Sequence, residues 1–322
     1  MYIYIWDQMR LNTIRYENEQ TILKYQKKTK YDLIILIIAS PSSFYDDFTN
    51  LWKSYMGRFP NVKAFFLYAD DTIGSDVLIG EDRITYNCKE SYIPGVFYKT
   101  IAGYFVCQKL FDYNYILRTN LSSFIHIPRL LAYLEKQPTY EYVCCNLEHF
   151  PLVGKDENAL EIKETEKKWL KVSDDLQQFE QTKQNWKKYT GILDQFFRYI
   201  NFIENNKFFH YFAGSFFIFT ADVVDKILDK IRNEGILNIA EIAQIPDDIA
   251  ISAIVQLKGI QPAHLVNMLS FSHACECIEK PIHYTDDLFH IRNRTDKIFG
   301  NRDIDVKNMR EQIRTFYGIQ IT

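Results

Sequence analysis

Residues 113–124 read Tyr-Asn-Tyr-Ile-Leu-Arg-Thr-Asn-Leu-Ser-Ser-Phe, an apolar and aromatic run that stops abruptly at small polar residues. This pattern is typical of a buried parallel strand that ends at a ligand crevice. Ligands of open α/β sheets bind outside the carboxyl ends of the strands, so residues 118–123 lie where a site is expected. A helix is predicted from Ile127 to Leu134, with Pro128 in its first turn. An ordinary strand, loop and helix without a ligand would fit the same residues.

The chain on either side alternates between apolar strands and amphipathic helices. Strands are predicted at 32–40, 62–68, 83–86, 140–145, 211–219 and 288–291, and helices at 44–55, 95–110, 221–231, 249–257 and 303–317. This alternation predicts an α/β fold with a mostly parallel, doubly wound central sheet. Residues 153–206 break the rhythm and are predicted to form a helical insertion, for which a solvated hairpin without a binding role is an equal alternative. We expect one domain over residues 1–322 that contains this insertion.

The composition narrows the class of protein. The net charge of −3 lacks the basic excess of a general nucleic-acid binder, so no nucleic-acid partner is expected. The six cysteines lack paired CxxC spacing, which favours buried free thiols in a reducing compartment over disulfides. The amino terminus does not have the pattern of a signal peptide, and the longest apolar run, residues 33–39, is far shorter than the ~20 residues that span a bilayer. We expect a soluble, cytoplasmic chain without a transmembrane segment, and a homodimer is left open.

Five segments occur in the same order along the chain as the motifs of a known family. They are Glu90-Ser91-Tyr92 with Lys99-Thr100, the strand end at 118–124, Tyr211–Ser215, Pro246-Asp247-Asp248, and Phe289-His290. Together they resemble motifs of the inverting beta-1,3-glycosyltransferases of the GT-A fold, the family that includes Fringe. The matching motifs are Asp-Ser-Tyr with Lys-Thr, Lys-x-Asp-Asp-Asp-x-Phe, Tyr-x-x-Gly-x-Gly-Tyr, Pro-Asp-Asp and a late histidine. The resemblance covers roughly residues 32–320 and leaves the insertion unmatched.

The resemblance implies a GT-A-like, Rossmann-related domain that transfers a sugar from a nucleotide-sugar donor, with a UDP-sugar favoured. The acceptor would be a hydroxyl of a glycan or sugar, bound near Gly214 and Ser215, and the anomeric configuration would invert. The resemblance places the catalytic base on Asp248, with Asp247 beside it. A carboxylate at a helix amino terminus is held by backbone amides and is expected to stay ionised at neutral pH. One aspartate could instead cap the helix while the other points into the cleft, and the two roles could be exchanged.

The chain departs from the family where the relatives carry three aspartates, because it has Asn120-Leu121-Ser122 there. A hard dication needs charged oxygen ligands, so we expect no metal, or weakly bound Mn²⁺ or Mg²⁺ with His290 as the candidate ligand. Basic side chains are then expected to meet the donor diphosphate. The expected donor-binding residues are Ser40, Pro41, Ser42, Asp70, Arg118, Thr119, Asn120, Ser122, His290, Arg292 and Arg294.

Each of these assignments has an alternative in which the residue or the chain has no catalytic role. Arg118 could form a salt bridge with Asp70 or Asp71, and His290 could be a buried structural histidine. At the level of the whole chain, the rival to an enzyme is a non-catalytic GT-A-like protein that binds a glycan or nucleotide or serves in assembly. The missing aspartates favour this rival, whereas Asp247-Asp248 and the basic tail favour the enzyme.

Overall fold

The computed structural model describes residues 13–136, 141–144, 147–151, 188–189, 191–193, 195–196, 208–212, 214–233, 236–260, 264–265, 268–271, 288–294 and 302–321. The strands are β1 (Ile14–Tyr16), β2 (Thr29–Ile38), β3 (Val62–Ala69), β4 (Val77–Ile79), β5 (Arg83–Tyr86), β6 (Phe111–Asn120), β7 (Ser123–Ile125), β8 (Tyr142–Cys144), β9 (Leu147–Pro151), β10 (Phe208–Phe212), β11 (Phe216–Thr220), β12 (His264–Leu265), β13 (Met268–Phe271) and β14 (His290–Asn293). The helices are α1 (Glu19–Tyr25), α2 (Ser43–Met56), α3 (Gly95–Leu110), α4 (Ile127–Lys136), α5 (Ala221–Asn233), α6 (Ile236–Ile242), α7 (Asp247–Leu257) and α8 (Asp303–Tyr317).

Within the described residues, nine strands form one sheet in the order β1-β4-β5-β3-β2-β6-β11-β8-β12. The neighbours β5, β3, β2 and β6 are parallel, whereas β11 runs antiparallel to both β6 and β8. The chain places β3 and β5 on one side of β2 and then crosses to place β6 on the other side. The strand order therefore reverses between β2 and β6, which is the switch point where doubly wound sheets bind ligands. The predicted mixed α/β fold with a mostly parallel sheet is confirmed, and the strand order is compatible with a Rossmann-like fold.

The two faces of the sheet are both covered, because β2 is apolar at every position from Leu33 to Ile38. Ile34 and Leu36 pack into one core with α3, α5, α6 and α7. Leu33, Ile35 and Ile37 pack into the other with α2, α4 and α8. Burial on both faces explains why the strand reads as a continuous apolar run and does not alternate with polar residues.

Most predicted elements lie where the sequence pattern put them. Residues 113–117 are interior, since β6 pairs with β2 on one side and β11 on the other. The single strand predicted at 211–219 is wrong: a turn containing Gly214 and Ser215 separates β10, which pairs with β9, from β11 in the main sheet. The tail strand predicted at 288–291 is present as β14, but it belongs to a small sheet with β13 and β7.

The predicted helical insertion at 153–206 lies mostly outside the described residues. Its few described positions, at 188–189, 191–193 and 195–196, are helical. Leu193 is fully buried and packs in the core that contains α3 and α7. Among the described helices, none has both the length and the apolar character that a membrane crossing requires.

Candidate functional site

A buried ion pair lies at the carboxyl end of β6, on the β11 side of the switch point. Arg118 Nη2 donates to Asp247 Oδ2 at 2.5 Å, and the two side chains are only 3% and 4% exposed. The guanidinium also stacks over the Phe217 ring at 5.4 Å. Asp247 is the first residue of α7, whose N-cap is Pro246, without a side-chain cap. Asp247 is therefore not the helix cap, and the alternative pairing of Arg118 with Asp70 or Asp71 is replaced by this one.

The neighbouring carboxylate, Asp248, turns in a different direction. Its Oδ2 accepts from the Gly214 amide at 3.1 Å, and its Oδ1 accepts from the Ile249 amide at 3.0 Å. The pKa of Asp248 is raised to about 7, first because desolvation disfavours the charged form and then because Asp247 is negative. The charge of Arg118 and the two amides act in the opposite direction. The expectation that helix amides keep Asp248 fully ionised at neutral pH is wrong, because desolvation and Asp247 outweigh them.

The turn before β11 is fastened to the end of β6 by side chains. Asn120 Nδ2 donates to the Gly214 carbonyl at 3.1 Å, and Thr119 Oγ1 donates to the Ser215 carbonyl at 2.8 Å. Asn120 Oδ1 accepts from Arg118 at 3.3 Å. A Cβ on Gly214 would lie 3.0 Å from Arg118 Nη1 and 3.1 Å from Asp248 Oδ2, so a side chain there would crowd both charged groups. Gly214 therefore permits this close approach, and Gly214 and Asn120 lie beside the two aspartates.

The tail strand β14 brings a second basic group to the loop after β6. Arg292 Nη1 donates to Ser122 Oγ at 2.7 Å, and Arg292 is partly exposed. His290, by contrast, is fully buried and stacks on the Phe216 ring at 4.7 Å. Burial and the nearby Arg292 charge lower the pKa of His290 to about 3, so it is neutral at physiological pH. This geometry is that of the structural histidine that stood as the alternative.

On the β2 side of the switch point, a second buried cation organises the strand end. Lys99 is 1% exposed, and its Nζ donates to the Ala39 carbonyl at 2.7 Å and to Glu90 at 2.7 and 3.0 Å. Ser40 Oγ donates to the same carboxylate at 3.1 Å. Burial is the main cause that lowers the pKa of Lys99, while Glu90 opposes the shift. The Arg118 charge also lowers it, so the two cations lie within electrostatic range of each other.

The remaining predicted donor residues lie at the surface. Pro41, Ser42, Asp70 and Arg294 are exposed. Asp70 sits at the end of β3, where its Oδ1 accepts from the Thr72 amide and hydroxyl, and these hydrogen bonds lower its pKa. The structure thus brings Arg118, Asn120, Gly214 and the two aspartates together, while Asp70 directly follows β3, which is two strands away from β6.

Three neighbours of the site were not assigned a role from the sequence: Glu90, Lys99 and Tyr92. Tyr92 is 65% exposed, yet the pKa of its hydroxyl is raised, first by desolvation and then by the charges of Asp248 and Asp247. It therefore lies within electrostatic range of the candidate base. All three belong to the Glu90-Ser91-Tyr92 and Lys99-Thr100 segments, which the family resemblance had singled out without assigning them a role.

A divalent cation does not fit the end of β6 as it stands. Both ends of the Asn120 amide are engaged within the protein, and Ser122 accepts from a guanidinium that would repel a second cation. In the described part of the chain, no group of three or more His, Cys, Asp or Glu side chains could hold a metal ion.

The described part of the chain is thus a mixed α/β protein with a charged cluster at the switch point of its mostly parallel central sheet. No protein-family model matches the chain. A search of curated proteins likewise finds no match.

Proposed function

We propose that this protein is an inverting, GT-A-like glycosyltransferase that moves a sugar from a nucleotide-sugar donor to a hydroxyl of a sugar or glycan. One observation carries the proposal. Asp248 is a partly exposed carboxylate beside the switch point, it is held in place by the Gly214 amide, and its pKa is raised to about 7. A general base works best when its pKa is close to the working pH, because it is then both ionised in a useful fraction and basic enough to take a proton.

In this reaction Asp248 accepts the proton of the acceptor hydroxyl. The hydroxyl oxygen forms a bond to the anomeric carbon from one side, while the bond from that carbon to the diphosphate breaks on the other. The electron pair leaves with the nucleoside diphosphate, and the anomeric configuration inverts. Arg118 holds Asp247 and so fixes the start of α7, which positions Asp248.

The negative charge that develops on the diphosphate needs a counter-charge. Arg292 and Arg294 are the basic side chains near the end of β6 that retain surface exposure, and guanidinium groups bind phosphate through paired hydrogen bonds. Because the donor set around Asn120 and Ser122 does not fit a dication, the proposed transfer is metal-independent. The choice of a UDP-sugar rests on the family resemblance alone.

The experiment is hydrolysis and transfer with a panel of sugar nucleotides and simple glycosides, with EDTA or Mn²⁺ added in parallel. Asp248→Asn should lower the transfer rate by ~10²–10⁴-fold with little change in donor affinity, since the amide cannot accept the proton. The matched control is Asp222→Asn, an exposed aspartate in the first turn of α5. Transfer by Asp248→Asn at the parent rate would refute the assignment, and activity lost in EDTA and restored by Mn²⁺ would refute metal independence.

A non-catalytic, ligand-binding role is the second candidate, and a specific observation favours it. The side chains that stand in place of the family's aspartates, Asn120 and Ser122, form hydrogen bonds within the protein. A protein that binds sugar nucleotides at equilibrium but never releases sugar, under any of the assay conditions, would establish this candidate over the enzyme.

A further inference from the structure

The carboxylate of Glu90 is held in one orientation at the switch point. Lys99 is buried beneath it and donates to both of its oxygens, and Ser40 donates to Oε1. Lys99 is itself tied to the Ala39 carbonyl, which directly follows β2. The Glu90 side chain remains 28% exposed. It is therefore a fixed acceptor with a face that a ligand can reach.

The partners of this carboxylate determine which ligands suit it. Lys99 balances its charge, so the pair as a whole is neutral and does not attract a cation strongly. An ionised carboxylate offers only acceptors, so it cannot donate a hydrogen bond to a phosphate oxygen. Among the described residues, Oε2 accepts from Lys99 alone, whereas Oε1 has two donors. The remaining hydrogen-bond acceptor capacity of Glu90 therefore suits neutral hydroxyl groups as donors.

The position of the pair adds a second constraint. Glu90 lies beside the end of β2, on one side of the switch point. The arginines proposed for the diphosphate lie on the β6 side, because Arg292 is in β14, Arg294 directly follows it, and β14 pairs with β7 just after β6. In doubly wound sheets, an acidic side chain near the bound phosphates often accepts hydrogen bonds from the ribose hydroxyls of a nucleotide.

We propose that Glu90, oriented by Lys99 and Ser40, accepts hydrogen bonds from the ribose diol of a nucleoside diphosphate. The inference rests on the proposed function, because it names the part of the donor that this side of the site recognises. It makes Glu90 a specificity-determining residue that distinguishes ribonucleotides from ligands without the diol.

The test is calorimetric binding of UDP, GDP and ADP, each compared with its 2′,3′-dideoxy counterpart. The parent should prefer at least one ribonucleotide over its dideoxy form by about 10- to 100-fold, the range for hydrogen bonds to a charged group. Glu90→Gln keeps the shape but loses an acceptor, so this preference should fall to within about threefold, while the affinity for the dideoxy form stays the same. A merely structural role would weaken both ligands equally.

Thermal melting establishes that Glu90→Gln is folded. If it is not folded, the same binding measurements are made with Ser40→Ala, which removes one hydrogen bond to Glu90 Oε1 and leaves the Lys99–Glu90 pair intact. The preference for the ribonucleotide over its dideoxy form should then fall in part. An unchanged ratio in the folded variant, or a parent that binds none of the three diphosphates, overturns the proposal. Diol-dependent binding without any sugar transfer would refute the enzyme and leave this inference standing. Sugar transfer by the parent, together with an unchanged ratio of ribonucleotide to dideoxynucleotide affinity in Glu90→Gln, would support the enzyme and refute this inference.

Discussion

The Arg118–Asp247 pair should be among the costliest contacts in the protein to break. Both side chains are almost wholly buried, so removal of one partner leaves the other as an uncompensated charge in the core. Arg118→Met or Asp247→Asn should each lower the free energy of unfolding by ~3–5 kcal/mol. With an entropy of unfolding of ~2.1 cal/mol/K per residue, the 322-residue chain has about 0.7 kcal/mol/K, so Tm should fall by ~4–7 °C.

Urea unfolding followed by circular dichroism measures this effect, and the double variant Arg118→Met with Asp247→Asn completes a double-mutant cycle. The double variant should be more stable than the sum of the single changes implies, because it leaves no unpaired charge. Lys226→Met is the control, since Lys226 and Asp222 are 41% and 65% exposed, and its loss should cost ~1 kcal/mol or less. The reasoning would be refuted if each single variant lost less than ~1 kcal/mol of unfolding free energy, or if the two losses were simply additive in the double variant.

The other two predictions concern the candidate base and the glycine beside it. The raised pKa of Asp248 means that the folded state binds more protons than the unfolded state between about pH 4 and 7, so stability should fall as pH rises through that window. Asp248→Asn should remove this dependence of stability on pH, and equal pH profiles in urea titrations would contradict the shift. Gly214→Ala should lower transfer activity because its Cβ would crowd Asp248 and displace it, whereas Gly57→Ala, with no atom within 4 Å of its Cβ, should leave activity unchanged. Activity retained in both variants would show that this close approach is unimportant.

The strands and helices of the sheet core were predictable because their signals are local. A buried parallel strand such as β2 is an unbroken apolar run, and α3 and α8 have the predicted bounds, 95–110 and 303–317. The short strands were missed for the opposite reason. β1 and β4 have three residues each, too few to show a period, and β1 pairs with β4 across more than 60 residues. The break at Gly214 was also missed, since the aromatic runs on either side read as one strand.

The partner of Arg118 could not be found from the sequence, because it depends on strand order. The sequence placed Asp70 and Asp71 at a neighbouring strand end, where they were the expected acidic partners. In the sheet, β2 lies between β3 and β6, and adjacent strands are ~4.8 Å apart, so Asp70 starts about 10 Å away in the strand-to-strand direction. Asp247 is 129 residues from Arg118 in sequence but lies at the same edge, because α7 begins there. The sequence therefore predicted at which edge of the sheet the site lies. The partner of Arg118 could be identified only once the strand order was known.

The two adjacent aspartates show why the roles at this edge could not be divided by sequence. Consecutive residues of a helix point about 100° apart, so one carboxylate can enter the core while its neighbour remains at the surface. Asp247 forms the ion pair with Arg118, whereas Asp248 accepts hydrogen bonds from two backbone amides. Desolvation and then the negative charge of Asp247 raise the pKa of Asp248, and Arg118 limits that rise. The buried pair therefore positions the proposed base, and exchanging the two roles would place the proposed proton-accepting group at a side chain that is only 4% exposed.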